Sequence, residues 1–281
     1  MFGGSEGIQL VDKLVKLGVC SKEYQVDGEW ALQPRGKVTG VRYETSRIKE
    51  KLQDIVNLLN YIKERSIESP ENADKLRERS AISRVYDSQL TLFSPWGPNY
   101  SGRYDLENET RTLQEVRRRL KSFKVKNFRT RFILMPADLY GTEINRLPKS
   151  SVEEYFKRLS EIAFQMTDGL TDTIIKPWSQ IREENNGRYQ ELRRQFNERL
   201  DQIIKPGQYE RILRTAKVFN PSNPEDSARR YCIERLAEGV LVEEVCSPVK
   251  MSLVRKDKDN LDGPLPRIYI IRNRAPWLGG E

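Results

Sequence analysis

The chain has no histidine among its 281 residues. The side chain that most often moves protons near neutral pH is therefore missing, and acid–base or nucleophilic work falls on Asp, Glu, Lys, Arg, Ser, Tyr or Cys. Asp138 is the candidate acid–base group. It follows the apolar run Phe132 to Met135 and is flanked by Leu139 and Tyr140. A carboxylate shielded in this way at a strand end has its pKa raised toward working pH; the plainer reading is a loop or cap residue. Ser94 stands directly after Leu90 to Phe93 and before Pro95, where a hydroxyl either faces a substrate or caps a turn. Lys250, in Lys250-Met-Ser252, can bind phosphate or form an imine with a carbonyl. Strand alternation would place Lys250 and Ser252 on one side, opposite Val249 and Met251.

Further binding groups gather around these three. Arg103 and Arg267 can hold a carboxylate or phosphate through a forked contact. Trp96, Tyr100 and Tyr104 either wall a pocket for an amino-acid group or lid the core, and Glu143 with Asn145 suits an ammonium. On a helix, Tyr231 shares a face with Glu234 and Arg235, and Arg230 can pair with Glu234. A surface ion-pair lattice is the alternative reading of this group. Cys20, Cys232 and Cys246 are far apart and form no CxxC pair or metal spacing, so they read as buried small hydrophobes, with no metal expected. No GxGxxG or P-loop fingerprint is present, and no cofactor is expected.

These residues need elements to position them. Leu90–Phe93 and Phe128–Met135 read as strands, each ending in a polar loop, and helices follow at Glu109–Ser122 and from Ser150. The second helix opens on the capping box Ser150-Ser-Val-Glu153. Strand, polar loop, helix, repeated, predicts a Rossmann-like α/β fold: a parallel sheet flanked by helices, and helix-rich. Ligands of such sheets bind beyond the carboxyl ends of the strands. A helical pattern runs from Trp178 through Tyr189 to Leu200, and Ser222-Asn-Pro-Glu225 opens another helix to about Glu238. Val249–Leu253 and Arg267–Arg272 close the chain as strands. Ahead of all this, helices at 8–17, 45–65 and 71–85, with strand and turn pieces at 28–41, form an N-terminal helical appendage over 1–85. The catalytic domain then spans 86–281.

Lysines and arginines number 49 against 41 acids, a net charge of +8. The excess is uneven: Arg111 to Arg131 holds nine basic residues and one acid, Glu115. Such a stripe either meets nucleic acid, tRNA included, or is a solvated helix face. No apolar run approaches the ~18 residues of a membrane span, and the first residues lack the regions of a signal peptide. The expected location is cytoplasmic.

Read in order, several segments resemble the isonitrile (isocyanide) synthase family. They are Phe93-Ser-Pro-Trp-Gly-Pro-Asn99, a strand ending in Asp138 followed by Val152-x-x-Tyr155, the helix Arg230 to Ala237, Lys250-Met-Ser252 and Pro276-Trp277. The resemblance implies a Rossmann-like biosynthetic enzyme of secondary metabolism that joins an amino acid to a carbon from ribulose 5-phosphate, with imine formation as its first step. In that setting Arg103, Arg230, Lys250 and Arg267 would grip carboxylate or phosphate, and Asp138 would move protons. The family pattern has histidines where Leu253 and Leu278 stand here, and a lysine at Trp96. A second resemblance, to cyclodipeptide synthases, rests on Ser94, on the Trp178 to Tyr189 helix and on Tyr231-x-x-Glu234. It implies a serine that accepts aminoacyl groups from tRNA, here Ser94, with the 111–131 stripe as the tRNA surface. That family usually spaces its Tyr and Glu by four. A non-enzymatic nucleic-acid-binding protein is the remaining alternative.

Overall fold

The computed structural model describes residues 20–26, 29–34, 76, 79, 80, 83, 89–97, 106–125, 128–252, 261 and 265–269. Arg103, Tyr104, Tyr100, Leu253, Pro276, Trp277 and the expected helices at 8–17 and 45–65 lie outside the described residues. In the N-terminal part, β1 (Cys20–Val26) and β2 (Glu29–Pro34) pair as an antiparallel hairpin. The sequence reading placed only the second of these strands. Leu76, Arg79, Ser80 and Ser83 are helical, and Leu76 is buried in the main core. Arg79 donates to the Pro248 carbonyl and pairs with Glu243.

The remaining strands form one parallel sheet in the order β5-β4-β3-β6-β7. These are β3 (Leu90–Trp96), β4 (Thr130–Pro136), β5 (Asp172–Ile175), β6 (Val249–Ser252) and β7 (Arg267–Tyr269). Its central strands read as near-continuous apolar runs because helices cover both faces. Helix α1 (Leu106–Val125) links β3 to β4, and α2 (Lys149–Thr167) links β4 to β5. The chain then returns through α3 (Trp178–Glu184), α4 (Asn186–Ile203), α5 (Pro206–Phe219) and α6 (Pro224–Cys246) to start β6 on the other side of β3. The fold is thus α/β and Rossmann-like, with a parallel sheet flanked by helices. Its topological switch point lies between β3 and β6, where such sheets open a crevice.

Strand parity assigns each side chain to a layer. Leu92, Trp96, Phe132, Val249 and Met251 join Leu113, Tyr155 and Leu159 under α1 and α2. Phe93, Ile133 and Met135 join Trp178, Tyr189 and Leu241 on the opposite face. Helix α6 is buried at Ala228, Cys232, Leu236, Ala237 and Leu241, and apolar burial on several sides is the pattern of a central helix. It runs to Cys246, beyond the expected end near Glu238. The cap that starts it is Asn223, whose side chain accepts from the Asp226 N–H, with Pro224 at the first helical position. The expected box serine, Ser222, instead donates to Asn220. Helix α2 likewise starts at Lys149 without a side-chain cap.

Candidate functional site

Pro95 shapes the crevice. It has no backbone N–H with which to extend a ladder, and the β3–β6 pairing stops at Leu92↔Val249 and Phe93↔Lys250. Beyond that point the strands are joined by a side chain: Ser94 Oγ donates to the Met251 carbonyl at 3.4 Å. On the α3–α6 side of this gap lies a cavity of about 440 Å³, within the range of small-molecule sites. Its walls come from four sources: the strand ends at Pro95, Gly97 and Lys250–Ser252; the π-helical turn Tyr140–Ile144; α5 at Thr215 and Phe219; and α6 at Tyr231 and Arg235.

The expected site residues divide around this cavity. Tyr231, Lys250 and Ser252 line it, and Asn145 joins them from the loop after β4. Lys250 is only 4% exposed. Arg267 stands beside Lys250 in register on the same face of the sheet. Ser94 does not line the cavity among the described residues. It is 1% exposed, and alternation puts it on the α1/α2 face with Leu92 and Trp96. Asp138 also turns elsewhere: its Oδ1 accepts the Ser179 backbone N–H at 3.1 Å at the start of α3, in the manner of a capping carboxylate. Both residues do stand at strand ends, but Ser94 lies on the closed face of the sheet, and Asp138, on the α3 side, is taken up by the Ser179 N–H.

Glu143, Arg230 and Glu234 stand behind the wall. Glu143 pairs with Arg182 at 2.9 Å, and the Arg182 guanidinium lies 5.3 Å from the Tyr189 ring centroid. Burial lowers the Arg182 pKa, but the hydrogen bonds it donates to Glu143 and Tyr189 outweigh this and raise it. Arg230 does not pair with Glu234. It reaches Asp226 at 3.9 Å, because Glu234 turns inward to the Trp178 Nε1–H at 3.3 Å and to the Tyr189 hydroxyl. Burial first, then the bond to Glu234, pushes the Tyr189 hydroxyl up to about 12. Tyr231, three residues before Glu234, and Arg235, one residue after it, reach the cavity instead. The Arg235 guanidinium donates to Glu238 at 2.5 Å and sits 5.9 Å from the Tyr140 ring centroid.

The sequence reading treated Tyr140 only as a shield for Asp138 and missed Thr215 and Phe219. Tyr140 is 3% exposed and forms an edge contact with Tyr231, at 5.7 Å between ring centroids. Burial, reinforced by the nearby Glu238 charge, raises its pKa well above the ordinary tyrosine value, so it is protonated at neutral pH. Its Oη and the Ser252 Oγ are both buried without a hydrogen-bond partner. A buried hydroxyl left this way costs roughly 1–3 kcal/mol, and two on one cavity wall suit a site completed by a ligand. Among the described residues no cluster of His, Cys, Asp and Glu could hold a metal ion, and no helix is long and apolar enough to cross a membrane.

No family model and no curated protein matches the chain. Among solved structures it is similar to AlbC, a cyclodipeptide synthase from Streptomyces noursei. The identity is 11% and the TM-score 0.41, over 64% of this chain and 94% of that one. It is similar also to a CDPS from Staphylococcus haemolyticus, at 13% identity and TM-score 0.42, over 66% of this chain and 92% of the other.

Proposed function

We propose that this protein is a biosynthetic synthase that takes an amino-acid-type substrate into the β3/β6 cavity, with aminoacyl-tRNA as the acyl donor. One observation carries the reading. Trp178, Tyr189 and Glu234, three of the residues on which the second sequence resemblance rests, are bonded together behind Tyr231 on the cavity wall, while Ser94, also part of that pattern, stands apart. Glu234 thereby fixes α6 so that Tyr231 and Arg235 face the substrate. The exposed arginines and lysines of α1 would hold the tRNA backbone. Ser94 would accept an acyl group only after giving up its bond to Met251, whereas Ser252 already stands on the wall.

The test is mass spectrometry of products and of the intact chain after incubation with aminoacyl-tRNA. The expected result is a dipeptide-derived product, with an acyl adduct mapping to Ser94 or Ser252 and absent from the corresponding alanine variant. A second reading, isonitrile formation from an amino acid and ribulose 5-phosphate, is favoured by the buried Lys250 amine in the cavity, placed to form an imine. An isonitrile product that is lost in Lys250→Ala would establish it in place of the first. A chain that binds tRNA tightly but turns over neither substrate pair would mark a non-enzymatic nucleic-acid-binding protein.

A further inference from the structure

We propose that the cavity contains an oxyanion subsite, for a carboxylate or a phosphate monoester, formed by the Tyr140 and Ser252 hydroxyls, the Lys250 ammonium and the Arg235 guanidinium. This goes beyond the acyl-transfer reading and does not depend on which reaction follows.

Three observations support it independently. The described lining carries two cations, Arg235 and Lys250, and no carboxylate; Glu238 stands behind Arg235 and offsets part of its charge. Both orphan hydroxyls belong to residues of this same wall. Each can donate, Tyr140 because it stays protonated and Ser252 because its hydroxyl rotates about Cβ–Oγ. Finally, Arg235 is held in place by Glu238 on its own helix.

The chemistry of the subsite is shared by two sources. One is the free carboxylate of an amino acid, the other a phosphate ester such as a sugar phosphate or nucleotide. An esterified aminoacyl group has no carboxylate, so the two are separable by experiment. The full-length chain is titrated calorimetrically at low chloride with inorganic phosphate, ribose 5-phosphate, leucine and leucine methyl ester. The expected result is binding of the phosphates or of leucine, and none of the methyl ester. Ser252→Ala and Tyr140→Phe each weaken it about tenfold, the loss of one hydrogen bond to a charged group, and Lys250→Met abolishes it. These two hydroxyl deletions remove groups without partners, so unchanged thermal melts confirm that the variants fold.

Phosphate binding without leucine binding assigns the subsite to a phosphate ester, and the reverse assigns it to a carboxylate. Binding no tighter than chloride, or undiminished in both hydroxyl variants, overturns the proposal. The product assay of the synthase reading is independent: a chain that makes product but holds no oxyanion here loses this inference and keeps that function.

Discussion

The two faces of the sheet each bury a glutamate held by the same pair of donors. Under α1 and α2, Glu109 accepts from Trp96 Nε1 at 2.7 Å and from Tyr155 Oη at 2.6 Å. On the other face, Glu234 accepts from Trp178 Nε1 at 3.3 Å and from Tyr189 Oη. Trp96 ends strand β3 and Trp178 follows strand β5, and in both the carboxylate comes from a helix. The difference is in what lies next door. Glu109 sits within the closed core beneath α1 and α2, while Glu234 sits between Tyr231 and Arg235, which line the cavity. One chemical arrangement therefore seals a layer and the other braces a wall. A buried carboxylate with two donors marks rigidity, and function depends on the neighbouring residues.

The comparison breaks first at the indoles. Trp178→Ala and Trp96→Ala each remove a buried ring and a donor, and each should cost about 3–5 kcal/mol in urea unfolding. If either costs under about 1 kcal/mol, that arrangement does not hold its face together. The next test separates the two roles. Glu109→Gln and Glu234→Gln each turn an amide NH₂ toward an existing donor, a penalty of roughly 1–3 kcal/mol. The two should destabilise alike. Only Glu234→Gln should also lower product formation and oxyanion binding, because α6, unlike α1, presents side chains to the cavity. Equal activity in both variants would leave Glu234 with a purely structural role.

A pH titration sharpens the comparison further. The Tyr189 pKa is raised to about 12 from an ordinary value of 10.0. A group raised on folding contributes stability that is fully present below the unfolded pKa and lost as pH rises through the folded one. Stability should therefore fall between about pH 10 and 12, and Tyr189→Phe should flatten part of that fall. Tyr140 on the cavity side and Tyr209 on α5, both raised in the same direction, add to the fall. A slope unchanged in Tyr189→Phe would mean that the hydroxyl does not hold its proton against Glu234.

How much of this was legible follows from what each feature needs. The parallel sheet and its first two crossovers are written in local patterns: apolar runs, turn residues and three-to-four spacing. Strand β5 was not, since Asp172–Ile175 is four residues at an edge and too short to declare a period. Glu109 carried a readable signal, because it lies on the same stripe as Leu113, Val116 and Leu120, where an acid is out of place. Ser94 and Asp138 were chosen by a sound rule, that ligands gather at strand ends. The rule is silent on which face opens, which sets Ser94 aside, and on where a loop side chain turns, which takes Asp138 to the start of α3. Thr215 and Phe219 reach the cavity only through the packing of α5 on α6, a long-range contact with no local signature.

The smallest effects belong to the basic stripe, and they test whether the two faces share one ligand. Arg111, Arg118 and Arg131 pair with Glu107, Glu115 and Asp172, while Arg117 and Lys121 are exposed on α1. Helix α1 leaves the carboxyl edge of the sheet and runs back toward the opposite edge. At 1.5 Å per residue, Lys121 lies about 20 Å along the axis from the helix start. It is also on the face away from the cavity. A phosphate or amino acid held in the cavity cannot touch it, but a tRNA whose acceptor end enters the cavity is long enough to reach around. Arg117→Ala and Lys121→Ala should each alter folding stability by no more than about 0.5 kcal/mol. Each should lower the salt slope of tRNA binding by about 1 and leave inorganic phosphate binding unchanged. Filter binding across a salt series reads the first effect and calorimetry the second. If tRNA affinity and its salt slope are untouched in the double variant, the stripe is a solvated helix face and the donor does not cross from one side of the sheet to the other.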